Sequence, residues 1–253
     1  MTMRFRDRVV VVTGAGGGLG RAAALGFARE GARLVITDIA AGGVEETAAM
    51  ILAEGGECLA TAFDLGAEPE ITRFGTETCA RHPRIHLLYN NAGIAYGEIN
   101  QPIDTIGQER WLRYLAVNSI APMLLAQALR PSLRAAKGVI LNQSSMAASS
   151  PGNAYGITKA TLNAVTYAMA SSFGPEGIRV NAIAPGLMET DAARDGLPPA
   201  AHERIRAMQM LDGSGTAEDI VRLALFLASD EVRFITGEIV ACDAGNRVRG
   251  WRY

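Results

Sequence analysis

The chain is poor in the residues that build disulfide frameworks and metal centres. Its cysteines are Cys58, Cys79 and Cys242. They are odd in number and far apart, which excludes a disulfide scaffold and reads as buried free thiols. The histidines, His82, His86 and His202, do not fall at ligand spacing, so no metal is expected. Excess charge is missing too. Lys and Arg number 24 against 26 Asp and Glu, for a net charge of −2, with both signs spread along the chain. Neither a nucleic-acid partner nor a polybasic membrane patch is expected. Residues 1–8 lack the apolar core of a signal peptide. The first apolar run, 9–12, is far too short to span a bilayer. No internal repeat or low-complexity linker stands out. What remains is the expectation of a cytoplasmic protein of 253 residues with room for one large core.

Apolar, strand-like runs occupy 8–13, 33–38, 58–64, 85–89, 138–143, 179–183 and 239–242. Amphipathic, helix-like stretches lie between them at 19–30, 43–54, 71–80, 110–133, 155–173 and 217–228. This alternation predicts one doubly wound α/β domain over 1–253. It is a Rossmann fold with a mostly seven-stranded parallel sheet and helices on both faces. The stretch 187–215 reads as an insertion, rich in polar residues with Pro198 and Pro199. It is expected to cover the site as a mobile lid.

Between the first strand and first helix lies Thr13-Gly14-Ala15-Gly16-Gly17-Gly18-Leu19-Gly20. Glycines let a backbone approach a pyrophosphate, and a helix start offers it free N–H groups. The spacing is T-G-x-x-x-G-x-G and not G-x-G-x-x-G, because position 19 is Leu. Asp38 ends the second strand. A carboxylate there accepts hydrogen bonds from an adenosine ribose and repels a 2′-phosphate. No Lys or Arg occurs between Gly14 and Gly20, and Ile39, not a cation, follows Asp38. NAD is therefore expected in preference to NADP. Further on, Tyr155 and Lys159 stand one helical turn apart, on one face. An ammonium beside a phenol favours phenolate, which predicts a tyrosine pKa below its usual value of about 10. Such a tyrosine exchanges protons with an alcohol or carbonyl near neutral pH.

These residues, with Asn90-Asn91-Ala92-Gly93, resemble the short-chain dehydrogenase/reductase family over most of the chain, 8–245. Asn118, Ser144-Ser145, Asn181-Ala182-Ile183-Ala184-Pro185-Gly186 and Asp243-Ala244-Gly245 match the same pattern. The resemblance implies roles. Gly14, Gly17, Gly18 and Leu19 would meet the cofactor at the glycine loop, and Asp38 and Ile39 would follow them at the adenosine. Asp64 and Leu65 would meet the adenine, and Asn91, Ala92 and Gly93 would line the adenosine side. Pro185, Gly186, Met188 and Thr190 would hold the nicotinamide end. Tyr155 would be the acid/base. Lys159 would lower its pKa and grip the nicotinamide ribose. Asn118 would anchor a water in a proton relay. The family's serine usually falls further upstream of the tyrosine, and that spacing lands on Asn142, inside the preceding strand. Aligning strand ends selects Ser145, with Ser144 as runner-up, and leaves the loop 146–154 short.

The implied reaction is hydride exchange between NAD(H) and a small secondary alcohol or ketone. An NADP-dependent 3-oxoacyl-thioester reductase is one alternative, and a non-catalytic NAD-binding sensor is another. A homotetramer or homodimer would pack on the helices carrying Asn118 and Tyr155, where Ala160, Ala164, Ala168, Ser171 and Ser172 are small. Within 187–215, Met188, Leu197, Met208, Met210 and Leu211 are candidates to touch an apolar substrate, and Arg194, Arg204 and Arg206 an anionic one. Two departures from the family stand out. Tyr89 replaces a small aliphatic residue, and Ser214 stands where many relatives carry Arg.

Overall fold

β-Branched residues at the start of the chain make the centre of the sheet. β1 (Val9–Thr13) runs Val-Val-Val-Val-Thr and is buried throughout, the pattern of a strand covered on both faces. The computed structural model describes residues 3–249. The remaining strands are β2 (Arg33–Asp38), β3 (Glu57–Ala62), β4 (Leu87–Asn90), β5 (Val139–Gln143), β6 (Arg179–Pro185) and β7 (Ile239–Cys242). All pairs are parallel, and the order is β3-β2-β1-β4-β5-β6-β7. The order reverses between β1 and β4, which opens a crevice at the carboxyl ends of those strands.

Helices cover both faces. α1 (Gly18–Arg29), α2 (Ala41–Ala53) and α9 (Ala217–Ala228) pack on one, around Phe27, Ile36, Ile51, Leu141 and Ile220. α3 (Glu68–Arg81), α5 (Ala121–Ala136) and α6 (Ala154–Phe173) pack on the other, around Val11, Phe74, Leu125, Leu129 and Phe173. The expected doubly wound sheet is thus present, with its seven strands in the expected segments.

Several boundaries differ from expectation. β3 is an edge strand with little burial and stops at Ala62, so Asp64 sits in the loop beyond it. The helix expected over 110–133 begins at α4 (Gln108–Leu115) and is interrupted by a π turn, Ala116–Ile120, before α5. Within Gln108–Ala136 an 18-residue window, with mean hydropathy 1.2, is apolar enough to cross a membrane, but half of that window is buried inside the fold. The segment 187–215 contains two short helices, α7 (Asp191–Gly196) and α8 (Pro199–Ala207). All three cysteines are free, and they are half-buried where full burial was expected.

Candidate active site

The carboxyl ends of β1, β4, β5 and β6 surround a cavity of about 870 Å³. Its floor at one end is the glycine loop. Gly14 and Gly18 have φ of 66° and 51°, left-handed values that favour glycine. A Cβ on Gly20 would lie 2.0 Å from the Gly14 carbonyl oxygen, so α1 can cross the loop closely only without a side chain there. Gly17 caps α1 with no side-chain hydrogen bond and no acidic residue follows in the first turn. The first N–H groups of that helix are therefore free to meet an anion. Beside them, the Asp38 carboxylate accepts from the Gly16 N–H (2.8 Å) and the Ala40 N–H (3.0 Å). The nearby cation, Arg21, donates to the Gly16 carbonyl, to Thr47 and to Glu46. In the loop after β3, Asp64 pairs with Arg113 (2.8 Å), which holds its carboxyl below the usual range, and accepts from the Gly66 N–H. These groups fit a dinucleotide: free helix N–H groups for a pyrophosphate and an acceptor carboxylate for a ribose.

The central wall is held by amides. Asn91 Nδ2 donates to the carbonyls of Thr13 (3.0 Å) and Gly14 (3.1 Å). Asn118 accepts from the Ile94 N–H (2.7 Å) and donates to the Ile94 carbonyl (2.9 Å) and the Thr158 hydroxyl. Its side chain is a clamp on the turn after β4, and any water it anchors must meet its backbone. The π turn sets its direction, a common device at functional sites. Gly93 fits between these groups, since a Cβ there would lie 3.2 Å from Asn118 Oδ1 and 3.3 Å from Lys159 Nζ.

α6 begins where Asn153 accepts from the Gly156 N–H (2.9 Å). Two residues on, Tyr155 faces the cavity, and one turn later Lys159 lies beneath it, with Nζ 5.8 Å from the ring centre. Ser145 follows β5, accepts from the Ala147 N–H and stands beside the Tyr155 phenol, whose pKa it pulls down. Ser144 turns away, with its hydroxyl donating to Asn163 Oδ1 (2.6 Å). The shortened loop therefore brings Ser145, and not Ser144, to Tyr155.

The expected depression of the tyrosine pKa is not found. Burial pushes Tyr155 up to about 12, against the pull of the neighbouring Ser145 hydroxyl and with a smaller upward contribution from Tyr96. Lys159 is buried as well, and desolvation lowers it to about 8. Its ammonium is spent on the Gln143 carbonyl, 2.6 Å away. Removal from water outweighs the cation beside the ring.

Tyr96, Met146, Leu187, Leu197 and Ile205 form an apolar mouth next to Tyr155. Thr190 caps α7 through the Ala193 N–H and stands beside the Tyr96 hydroxyl. A bridge between Met188 and Gly215 ties the two ends of the covering segment together. Of its proposed contacts, Met188, Leu197 and Arg204 line the cavity. Met208, Met210 and Leu211 are exposed and do not. Arg194 pairs with Asp191 and Asp195, and Arg206 with Glu189. Ser214 accepts from Arg206 (3.0 Å). Tyr89 is buried, and its hydroxyl donates to Gln143 Oε1.

Every residue expected at the cofactor lines the cavity, as does Ser145; Asn118 stands behind the wall. Sequence reasoning missed Gln143, Tyr96, Asn100, Arg113 and Asn153, which line it too. Asn153 had a local signal, a capping asparagine just before a helix; Tyr96 and Arg113 had none. Among the described residues no group of three His, Cys, Asp or Glu is placed to hold a metal ion.

Residues 14–247 match the family model described as enoyl-(acyl carrier protein) reductase. Levodione reductase from Leifsonia aquatica is 32% identical, covering 96% of each chain. The meso-2,3-butanediol dehydrogenase of Serratia marcescens is also 32% identical, again covering 96% of each. A solved 7α-hydroxysteroid dehydrogenase, in complex with NADH and 7-oxo glycochenodeoxycholic acid, superposes with a TM-score of 0.90 at 28% identity over 96% of both chains.

Proposed function

The chain belongs to the short-chain dehydrogenase/reductase family, and on that footing we propose that it is an NAD(H)-dependent oxidoreductase interconverting a small secondary alcohol and a ketone. The observation that carries this reading is the pairing of Ser145 and Tyr155 over one cavity, with Lys159 beneath them. When bound, NAD(H) supplies a hydride acceptor or donor at the substrate carbon. The chain's own residues manage the oxygen. In ketone reduction Tyr155, which its surroundings keep protonated, gives its proton to the carbonyl oxygen as charge develops there. Ser145 donates a hydrogen bond to the same atom. Lys159, with a pKa of about 8, is still charged at pH 7 and stabilises the phenolate left behind.

Support for NAD over NADP is the Asp38 carboxylate, with Arg21 engaged by Glu46 and so withheld from a 2′-phosphate. Free N–H groups of α1 would hold the pyrophosphate, and Asp64 with Leu65 the adenine. The apolar mouth suits a compact uncharged substrate, the class that the names of the levodione and butanediol relatives suggest. The segment 187–215 acts as the lid over it. The outward face of α6, with exposed Ala164, Tyr167, Ala168, Ser171 and Ser172, is the surface on which copies of this chain would assemble.

Tyr155→Phe tests the reading directly. NADH binding, followed by nicotinamide fluorescence, should persist while ketone reduction falls about 10²–10⁴-fold. Full activity in that variant would sink the proposal. A sensor that only binds NAD would show tight NADH binding and no turnover across a panel of ketones and secondary alcohols. The 3-oxoacyl-thioester alternative predicts a preference for NADPH, so comparing KM for the two reduced cofactors separates it.

A further inference from the structure

A second cavity, of about 960 Å³, opens at the opposite end of the sheet, where the strands begin. Arg8 precedes β1, Arg33 starts β2, His86 precedes β4 and Arg179 starts β6 around it. Eight Arg and Lys side chains line this cavity against two carboxylates, Asp7 and Asp230. That is a third of the chain's 24 cations, in a molecule whose net charge is −2. The charge is segregated in space although it is mixed in sequence.

Local partners do not account for the surplus of six. Arg8 takes both oxygens of Asp230, and Arg33 takes Asp7 (3.1 Å) and, outside the cavity lining, Glu57 (3.5 Å). Arg179 donates to the carbonyls of Leu227, Ser229 and Ile235. Arg6, Arg81, Arg84, Lys137 and Arg233 form no ion pair among the described residues. Two helices, α3 and α5, end here at His82 and Lys137. Each helix end carries about half a negative charge, so together they offset about one of the surplus cations.

The same wall supplies neutral donors. His86 Nδ1 accepts the Val9 N–H (3.0 Å), which leaves Nε2 as the protonated nitrogen. His82 Nε2 is buried without a partner among the described residues. Lys137 adds a conformational argument. It sits in the left-handed region, φ 49° and ψ 49°, where glycine would be unstrained. Its stem lies over Gly177, where a Cβ would come within 3.2 Å of Lys137 Cγ. The fold carries a strained lysine at this rim. No Phe, Tyr or Trp lines the cavity; its only rings are the imidazoles of His82 and His86, which leave little stacking surface for bases.

We propose that this basic cavity is a binding site for a small, multiply charged phosphate ligand, distinct from the dinucleotide groove. The probe is inorganic tripolyphosphate, with a sugar bisphosphate as a second arm, added at millimolar concentration to the full chain against sodium chloride of equal ionic strength. The expected result is a rise in Tm with either probe. The tighter of the two tells whether the phosphates arrive free or as esters. In Lys137→Gly/Arg84→Ala the affinity should fall about tenfold or more, while NADH fluorescence titrates as before. Lys137→Gly relieves the left-handed strain, so the ligand-free Tm should not fall on its account. No rise in the parent chain, or an equal rise in the double variant, overturns the proposal. A duplex oligonucleotide binding more tightly than tripolyphosphate would overturn the small-ligand assignment.

Discussion

The Lys159 ammonium donates a 2.6 Å hydrogen bond to the Gln143 carbonyl, the last residue of β5. That one contact ties helix α6 to the strand end from which Ser145 emerges. It also holds a buried cation next to Tyr155 without spending it on the phenol. The Gln143 side chain is itself fixed, because its Oε1 accepts from the buried Tyr89 hydroxyl. A tyrosine that looks out of place in the sequence therefore steadies the residue on which Lys159 rests.

The buried lysine makes stability depend on pH in a defined direction. Its pKa falls from 10.5 unfolded to about 8 folded, so between those values the unfolded chain binds more protons. Folding stability from this group is therefore lowest below pH 8 and is regained as pH rises toward 10.5. Lys159→Met removes the effect and leaves Tyr155 in both chains. Relative to the parent, the variant should lose roughly 2–3 kcal/mol of stability advantage between pH 7 and pH 10. Urea denaturation at the two pH values measures it, and a pH-independent difference would show that the lysine is not desolvated.

Tyr89→Phe strands the buried Gln143 Oε1 and should cost about 1–3 kcal/mol. Tyr89→Phe/Gln143→Leu replaces both polar partners with apolar ones and should recover most of that loss. Thermal denaturation of the single and double variants decides it. Equal stability of Tyr89→Phe and the parent would mean that the hydroxyl carries no net stabilisation.

The sheet was legible because each strand is a short apolar run, and the site because the glycine loop and the Tyr155/Lys159 spacing are local patterns. What escaped needed the third dimension. The π turn adds one residue to a helical repeat, which leaves hydrophobic spacing in Gln108–Ala136 almost unchanged. The Tyr155 pKa moves against the direction that its neighbours in sequence imply, because neighbouring charges can be counted along a chain and burial cannot. Arg113 reaches Asp64 across 49 residues, with no local pattern to announce it. The Tyr89–Gln143 pair was in principle accessible. Tyr89 registers with Leu141, and the period of two then puts Gln143 on the same face.

Ser145 and Ser144 should fail in different ways. Ser145→Ala removes the hydroxyl that meets Tyr155 and should lower kcat about 10²–10³-fold, with up to about 1 kcal/mol of stability lost with its cap on the Ala147 N–H. Ser144→Ala removes the bond to Asn163 and should cost about 1 kcal/mol of stability, with kcat nearly unchanged. Steady-state kinetics and thermal denaturation on the two variants separate these outcomes. The reverse pattern would move the substrate contact to Ser144.

Asp38 should govern the choice of cofactor through charge as well as hydrogen bonding. Asp38→Ser removes an ionised acceptor, worth about 1.5–3 kcal/mol, so KM for NADH should rise about 10–100-fold. The same change removes repulsion of a 2′-phosphate, and KM for NADPH should fall. Ile39 is 66% exposed at the edge of the groove. Asp38→Ser/Ile39→Arg therefore places a cation where Arg21, held by Glu46, cannot serve. That pair should reverse the NADH/NADPH ratio of kcat/KM. If Asp38→Ser leaves the ratio where it was, the carboxylate is only bracing the Gly16 and Ala40 N–H groups, and discrimination lies elsewhere in the groove.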